Sequence, residues 1–111
     1  MLLTGLTHGA RGAIGSTYSF GAPLYRRLME AHDRGDTESA QKLQSQAALL
    51  IETLFRRGYT AAAKTVMGFL GVECGPVRPP LVGLEDGAAP ALRAELEGHG
   101  FFDWVREPEP S

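Results

Sequence analysis

The sequence predicts an α/β chain that is mostly helical and carries one short β-strand without a partner of its own. Two observations predict this. A stripe of apolar residues at helical spacing, Ala40, Leu43, Ala47, Leu50, Ile51 and Leu54, marks one long helix. The stretch Ala13-Ile14-Gly15-Ser16-Thr17, apolar at first and polar at its end, reads as a strand, and nothing else in the chain does. A lone buried strand leaves its backbone donors and acceptors unmet. Its partners are therefore expected outside these 111 residues.

Taken in order, Leu2, Leu3 and Leu6 sit at helical spacing before Gly9, which predicts a helix over 1–8 with glycine just past its end. It has no N-cap and reads as the back half of a longer helix. Gly9-Ala10-Arg11-Gly12 predicts a tight turn, followed by the strand. Pro23 suits the first turn of a helix over 24–33, with Leu24, Leu28 and Ala31 on its apolar face and Gly35 beyond its end. Asp36 offers an N-cap for the long helix over 37–57, which Gly58 closes. Thr60 can cap a helix over 61–70 that buries Val66, Met67 and Leu70 and stops at Gly71. Pro76, Pro79 and Pro80 make 72–87 extended or irregular. A last helix runs over 89–99 with Leu92 and Leu96 on one side. Phe101, Phe102, Trp104 and Val105 form an apolar cluster expected to dock. The chain thus reads as one body over 1–105, with a disordered tail over 106–111.

Composition excludes several classes. Lys and Arg number 11 against 13 Asp and Glu, a net charge of −2, and hydrophobic residues make up 43%. That is ordinary globular composition with no electrostatic footprint for nucleic acid or an anionic membrane. No apolar run approaches the roughly 18 residues of a spanning helix. The start lacks a basic n-region, which makes it a poor signal peptide. The single Cys74 excludes an internal disulfide and a cysteine metal cage. A cytoplasmic protein is expected.

The glycine-rich stretch does not make a phosphate loop: Gly15 is followed directly by Ser16, and no lysine lies nearby. Ser16 lacks the Gly-x-Ser-x-Gly frame of a nucleophile elbow. It reads either as a hydroxyl that satisfies backbone at a strand end or as a substrate contact there, where barrel and open α/β enzymes build their sites. His8, His32 and His99 show no metal-ligand spacing and read as surface or capping residues. Lys64, one of two lysines beside Lys42, reads as an outer-helix residue rather than a Schiff-base former. Cys74 reads as a packing residue, and the pairs Arg26-Arg27 and Arg56-Arg57 as partners of helix C-termini.

Gly12-Ala13-Ile14-Gly15-Ser16-Thr17-Tyr18 resembles the last barrel strand of the N-acetylneuraminate lyase family, among the class I Schiff-base aldolases related to dihydrodipicolinate synthase. The Gly9-Ala10-Arg11-Gly12 turn, the Gly35-Asp36 break before Ala40-Gln41-Lys42-Leu43-Gln44, Lys64-Thr65 and Val77-Arg78-Pro79-Pro80-Leu81 resemble further family positions. The likeness runs to about Gly100, and the Ile-Gly-Ser-Thr-Tyr string favours the lyase branch. Ser19 departs from the family's usual asparagine.

The resemblance implies a (β/α)8 TIM barrel of about 250 residues, of which this chain is the C-terminal third: the end of helix seven, strand eight, helix eight and the appended C-terminal helices. It implies an enzyme that reversibly cleaves N-acetylneuraminate to N-acetylmannosamine and pyruvate through a lysine–pyruvate Schiff base. No metal or other cofactor takes part, and the intact enzyme is a homo-oligomer, a tetramer. The family's lysine on strand six, its tyrosine on strand five and its carboxylate-binding loop after strand two match nothing here, so no residue of this chain is expected to be catalytic. Only Gly15 and Ser16 match positions near the sugar's polyol part. Two alternatives stand beside this reading: a related 2-keto acid aldolase of the dihydrodipicolinate synthase kind, and a non-catalytic helical interaction module.

Overall fold

The computed structural model describes residues 1–106. Of the expected tail over 106–111, all but Arg106 lies outside the described residues. The helices are α1 (Leu2–Thr7), α2 (Tyr18–Asp33), α3 (Thr37–Phe55), α4 (Tyr59–Phe69), α5 (Ala88–His99) and the single turn α6 (Phe101–Trp104). The chain divides into two compact units. Among the described residues, one comprises Met1–Leu49 with 103–106, the other Leu50–Phe102.

In the first unit α1 packs on α2. Leu2, Leu6, Leu24, Tyr25, Leu28 and Ala47 form its core, with Leu3, Tyr18, Met29, Leu43 and Trp104 packed against it. The Gln44 side chain accepts the Leu3 N–H at 2.8 Å, which ties the start of α1 to α3. The Arg27 guanidinium donates to the Trp104 carbonyl, fixing the C-terminal turn on α2. Asp36 caps α3 as its sequence position predicts, accepting the Ser39 N–H at 3.1 Å. Hydrogen bonds from Ser39, with Arg34 beside them, hold the Asp36 carboxyl below its ordinary pKa. Gly35, just before it, takes φ +77°, a conformation that a Cβ would strain.

Two sequence expectations fail in this unit. No strand forms among the described residues, and 10–15 runs as irregular chain. A strand exists only through ladder hydrogen bonds to a neighbour, and among the described residues no segment pairs with this one. Ile14, placed inside the strand by its apolar character, is fully exposed. Helix α2 begins at Tyr18 rather than Leu24, so Pro23 lies inside it. The proline removes one bond, the one to the Ser19 carbonyl, while Phe20 on that first turn is buried and offsets the loss.

In the second unit α4 packs on α5. Leu50, Leu54, Ala61, Ala62, Val66, Leu92, Leu96 and Phe101 are its buried apolar residues, and Thr53 is buried with them. Helix α3 stops at Phe55, two residues short of expectation. Helix α4 starts at Tyr59 with Gly58 as its N-cap and no side-chain cap from Thr60. Leu70 falls just past the end of α4 and is 40% exposed, not buried as its spacing suggests. The Arg93 guanidinium lies over the rings of both Phe69 and Phe102, 5.1 and 4.9 Å from their centroids.

Arg56 and Arg57 directly follow the end of α3. They clamp Glu95 of α5 from both sides, at 2.5 and 2.6 Å. Hydrogen bonding from Arg57 is the chief cause that lowers the Glu95 carboxyl from 4.5 to about 2; partial burial opposes it, and Arg56 adds to it. His99 Nε2 lies 3.6 Å from the same carboxylate.

The folded-state value of Glu95 is below the unfolded one. Its contribution to stability is therefore complete above the unfolded value and disappears as pH falls toward 2. Thermal melts of the wild type and Glu95→Gln should differ by a steady amount above about pH 5 and converge as pH drops toward 2. A difference that stays constant with pH would mean that the clamp contributes nothing. Leu54→Ala, at a fully buried position, should cost about 2–5 kcal/mol in denaturant unfolding; a loss under about 1 kcal/mol would contradict close packing there.

Candidate functional site

The stretch that carries the candidate site residues lies between α1 and α2. Gly9 ends α1 with φ +93°, and the Ala10 N–H closes the turn onto the Gly5 carbonyl at 3.0 Å. The chain then runs exposed from Ala10 to Ser16. Gly15 and Ser16 form the entry turn of α2: the Tyr18 N–H donates to the Gly15 carbonyl at 3.2 Å and the Ser19 N–H to the Ser16 carbonyl at 3.3 Å.

Thr17, the N-cap of α2, does not cap it with its side chain. Its hydroxyl turns inward and shares a buried 2.8 Å hydrogen bond with the Tyr25 hydroxyl, eight residues on. Both residues are buried, Thr17 to 6% exposure and Tyr25 likewise. Tyr18 lies on the same helix face, its ring 4.4 Å from that of Tyr25 in an edge arrangement. The Tyr18 ring in turn lies under Gly15, where an added Cβ would come within 3.3 Å of it. Beside this cluster an open groove of about 280 Å³ is lined by Leu2, Ala13, Tyr18, Tyr25, Arg26 and Met29, among others.

Gly15 and Ser16 are thus adjacent, exposed and backed by a buried hydroxyl pair. Sequence reasoning missed Thr17 and Tyr25. Two hydroxyls a little over two helical turns apart were the available signal, since residues at that spacing return to one face.

The other candidates have structural partners. His8 Nδ1 lies 2.8 Å from the Thr4 carbonyl. Lys64 Nζ donates to the Pro76 carbonyl at 2.9 Å and to that of Cys74 at 3.4 Å, which pins the irregular stretch after α4 back onto that helix. Cys74 is exposed rather than packed, because it rides on that stretch. Among the described residues no group of His, Cys, Asp and Glu could hold a metal ion, and no helix is long and apolar enough to cross a membrane.

Comparison with known proteins places this geometry. The model of the dihydrodipicolinate synthetase family matches residues 1–99. The N-acetylneuraminate lyase of Rhizobium meliloti (strain 1021) is 37% identical over 93 residues, which cover 84% of this chain and 31% of that protein. An uncharacterized DapA-like lyase of Halobacterium salinarum is 36% identical over 102 residues, covering 92% of this chain and 34% of its own length. The structure of Proteus mirabilis N-acetylneuraminate lyase superposes with a TM-score of 0.84 at 32% identity, over 90% of this chain and 34% of that one. The chain spans about a third of the length of the relatives it matches.

Because Ile14 meets solvent on all sides, Ile14→Ser in the chain by itself should change unfolding stability by no more than about 0.5 kcal/mol. A loss well beyond that in urea melts would mean that the 10–15 stretch packs against something.

Proposed function

The chain belongs to the dihydrodipicolinate synthetase family, and we propose that it is the C-terminal part of a Schiff-base aldolase that cleaves N-acetylneuraminate to N-acetylmannosamine and pyruvate. One observation carries this reading. Relatives similar to it in sequence and in structure include lyases of that name, each matched over about a third of its length. The Ile14-Gly15-Ser16-Thr17-Tyr18 string favours the same branch.

On this reading residues 1–105 are one portion of a (β/α)8 barrel. The stretch around Ile14 becomes the eighth strand once barrel neighbours flank it. That accounts for an exposed isoleucine and for an extended segment without ladder bonds. Gly15 and Ser16 then stand at the C-terminal mouth of the barrel, where such folds bind substrate. The Ser16 hydroxyl contacts the polyol part of the sugar acid. One such neutral hydrogen bond contributes about 0.5–1.5 kcal/mol, enough to tune affinity but not to drive bond cleavage. The amine that forms the Schiff base and the group that moves the proton come from the portion of the fold that these residues do not include. Lys64 is committed to backbone carbonyls and does not replace that amine. The chain by itself is therefore inactive. The whole enzyme is a cytoplasmic homotetramer that uses no metal or other cofactor.

The similarity to the DapA-like lyase supports a second reading, in which the same pyruvate chemistry acts on a different 2-keto acid. A non-catalytic helical module is the remaining one.

The experiment joins this chain behind the preceding two thirds of the Rhizobium meliloti lyase, in place of that enzyme's own last third. The chain alone should release no pyruvate from N-acetylneuraminate, and the fusion should release it. A folded fusion without turnover would overturn the reading. Turnover with other 2-keto acids but not with N-acetylneuraminate would select the second one. A monodisperse, cooperatively melting chain that neither binds hydrophobic dye nor complements would favour the module.

A further inference from the structure

We infer that the buried Thr17–Tyr25 hydroxyl pair, with the Tyr18 ring wedged beside it, holds the Gly15–Ser16 turn in place, making Tyr25, Thr17 and Tyr18 positioning residues for the Ser16 contact. The inference rests on the reading above, in which Ser16 meets the sugar's hydroxyls.

Ser16 is exposed and stands at the end of an irregular, exposed run that begins at Ala10. A hydroxyl that must meet a substrate hydroxyl needs its backbone fixed to a fraction of an ångström, because misplacement weakens the bond steeply. The adjoining residue provides the fixing. Thr17 sits where an N-cap side chain ordinarily serves its own helix, yet it makes no cap bond. Its hydroxyl is bonded instead to Tyr25 at 2.8 Å, in a buried environment. Exchanging a local bond for one across two turns anchors the N-cap residue of α2 to the helix's middle. Tyr25 belongs to the unit's core, so the anchor is rigid.

The second brace acts on Gly15. The Tyr18 ring packs edge-on against Tyr25 and lies beneath the Gly15 Cα, so close that a methyl group there would meet two ring carbons at 3.3 Å. Glycine gives close approach at this point and not a left-handed φ, since Gly15 is absent from the positive-φ positions and a Cβ would press on the ring. The turn is thus held from the Thr17 side by a hydrogen bond and from the Gly15 side by ring contact, with Ser16 between the two.

Two measurements test this. In the chain itself, NMR amide exchange is read at Tyr18 and Ser19, whose N–H groups close the turn onto Gly15 and Ser16. Tyr25→Phe and Thr17→Val should speed exchange there about ten-fold, leave the amides of α4 and α5 unchanged, and Thr17→Ser should restore protection. Equal exchange in all four proteins would overturn the inference whatever the enzyme does. In the active fusion, Tyr25→Phe should raise KM for N-acetylneuraminate about ten-fold with kcat within about two-fold, and Ser16→Ala should do the same. A raised KM for Ser16→Ala with wild-type kinetics for Tyr25→Phe would overturn the positioning role and leave the substrate reading standing. Unchanged KM for Ser16→Ala would overturn the substrate reading itself.

Discussion

An extended backbone segment must pair its N–H and C=O groups with another strand or leave them to water. That constraint governs the part of this chain where function is expected. From Ala10 to Gly15 no partner is present, and the segment has neither ladder bonds nor buried side chains. The helices face no such demand, since their backbone bonds are internal, and they form around it. An amphipathic helix needs only a surface for its stripe. In each unit such surfaces are present: α2 and α1 share theirs, as do α4 and α5.

The same distinction explains what could be read from the residues alone. The spans of α3 and α5 follow to within two residues from their apolar spacing and, for α3, from Asp36 and Gly58, because those signals are local. Leu92 and Leu96 are buried where their period puts them. The early start of α2 was not legible. Pro23 is a strong local sign of a helix beginning, and the burial of Phe20 that overrides it depends on the folded unit. The strand was legible as a tendency and absent as a structure, since pairing is not a property of one segment. At the site, Gly15 and Ser16 could be picked out by resemblance. The hydroxyl bond behind them could not, because Thr17 reads as the end of a strand and its bond to Tyr25 exists only once α2 begins at Tyr18.

Charged residues show a parallel division of labour. The sequence offers two arginine pairs with the same outward appearance. One member of the first pair, Arg27, reaches a backbone carbonyl at the chain's far end. Both members of the second converge on one carboxylate of α5. Lys64, the residue whose chemistry invites the most speculation in an aldolase family, secures the irregular stretch after α4. In each case a long cationic side chain joins segments distant in sequence, a task for which the guanidinium's several donors and the flexible ammonium stem are suited.

The C-terminal turn also gives this molecule an optical property. Trp104 is the sole tryptophan of the chain. Its ring packs against the core of the first unit, and its carbonyl is held by Arg27. Indole emission therefore reports the seating of this turn alone, while far-ultraviolet ellipticity sums over every helix. Collected together during unfolding, the two signals separate the loosening of one short contact from the melting of the whole. Any derivative that ends before Asp103 loses the contact and its fluorescent witness together.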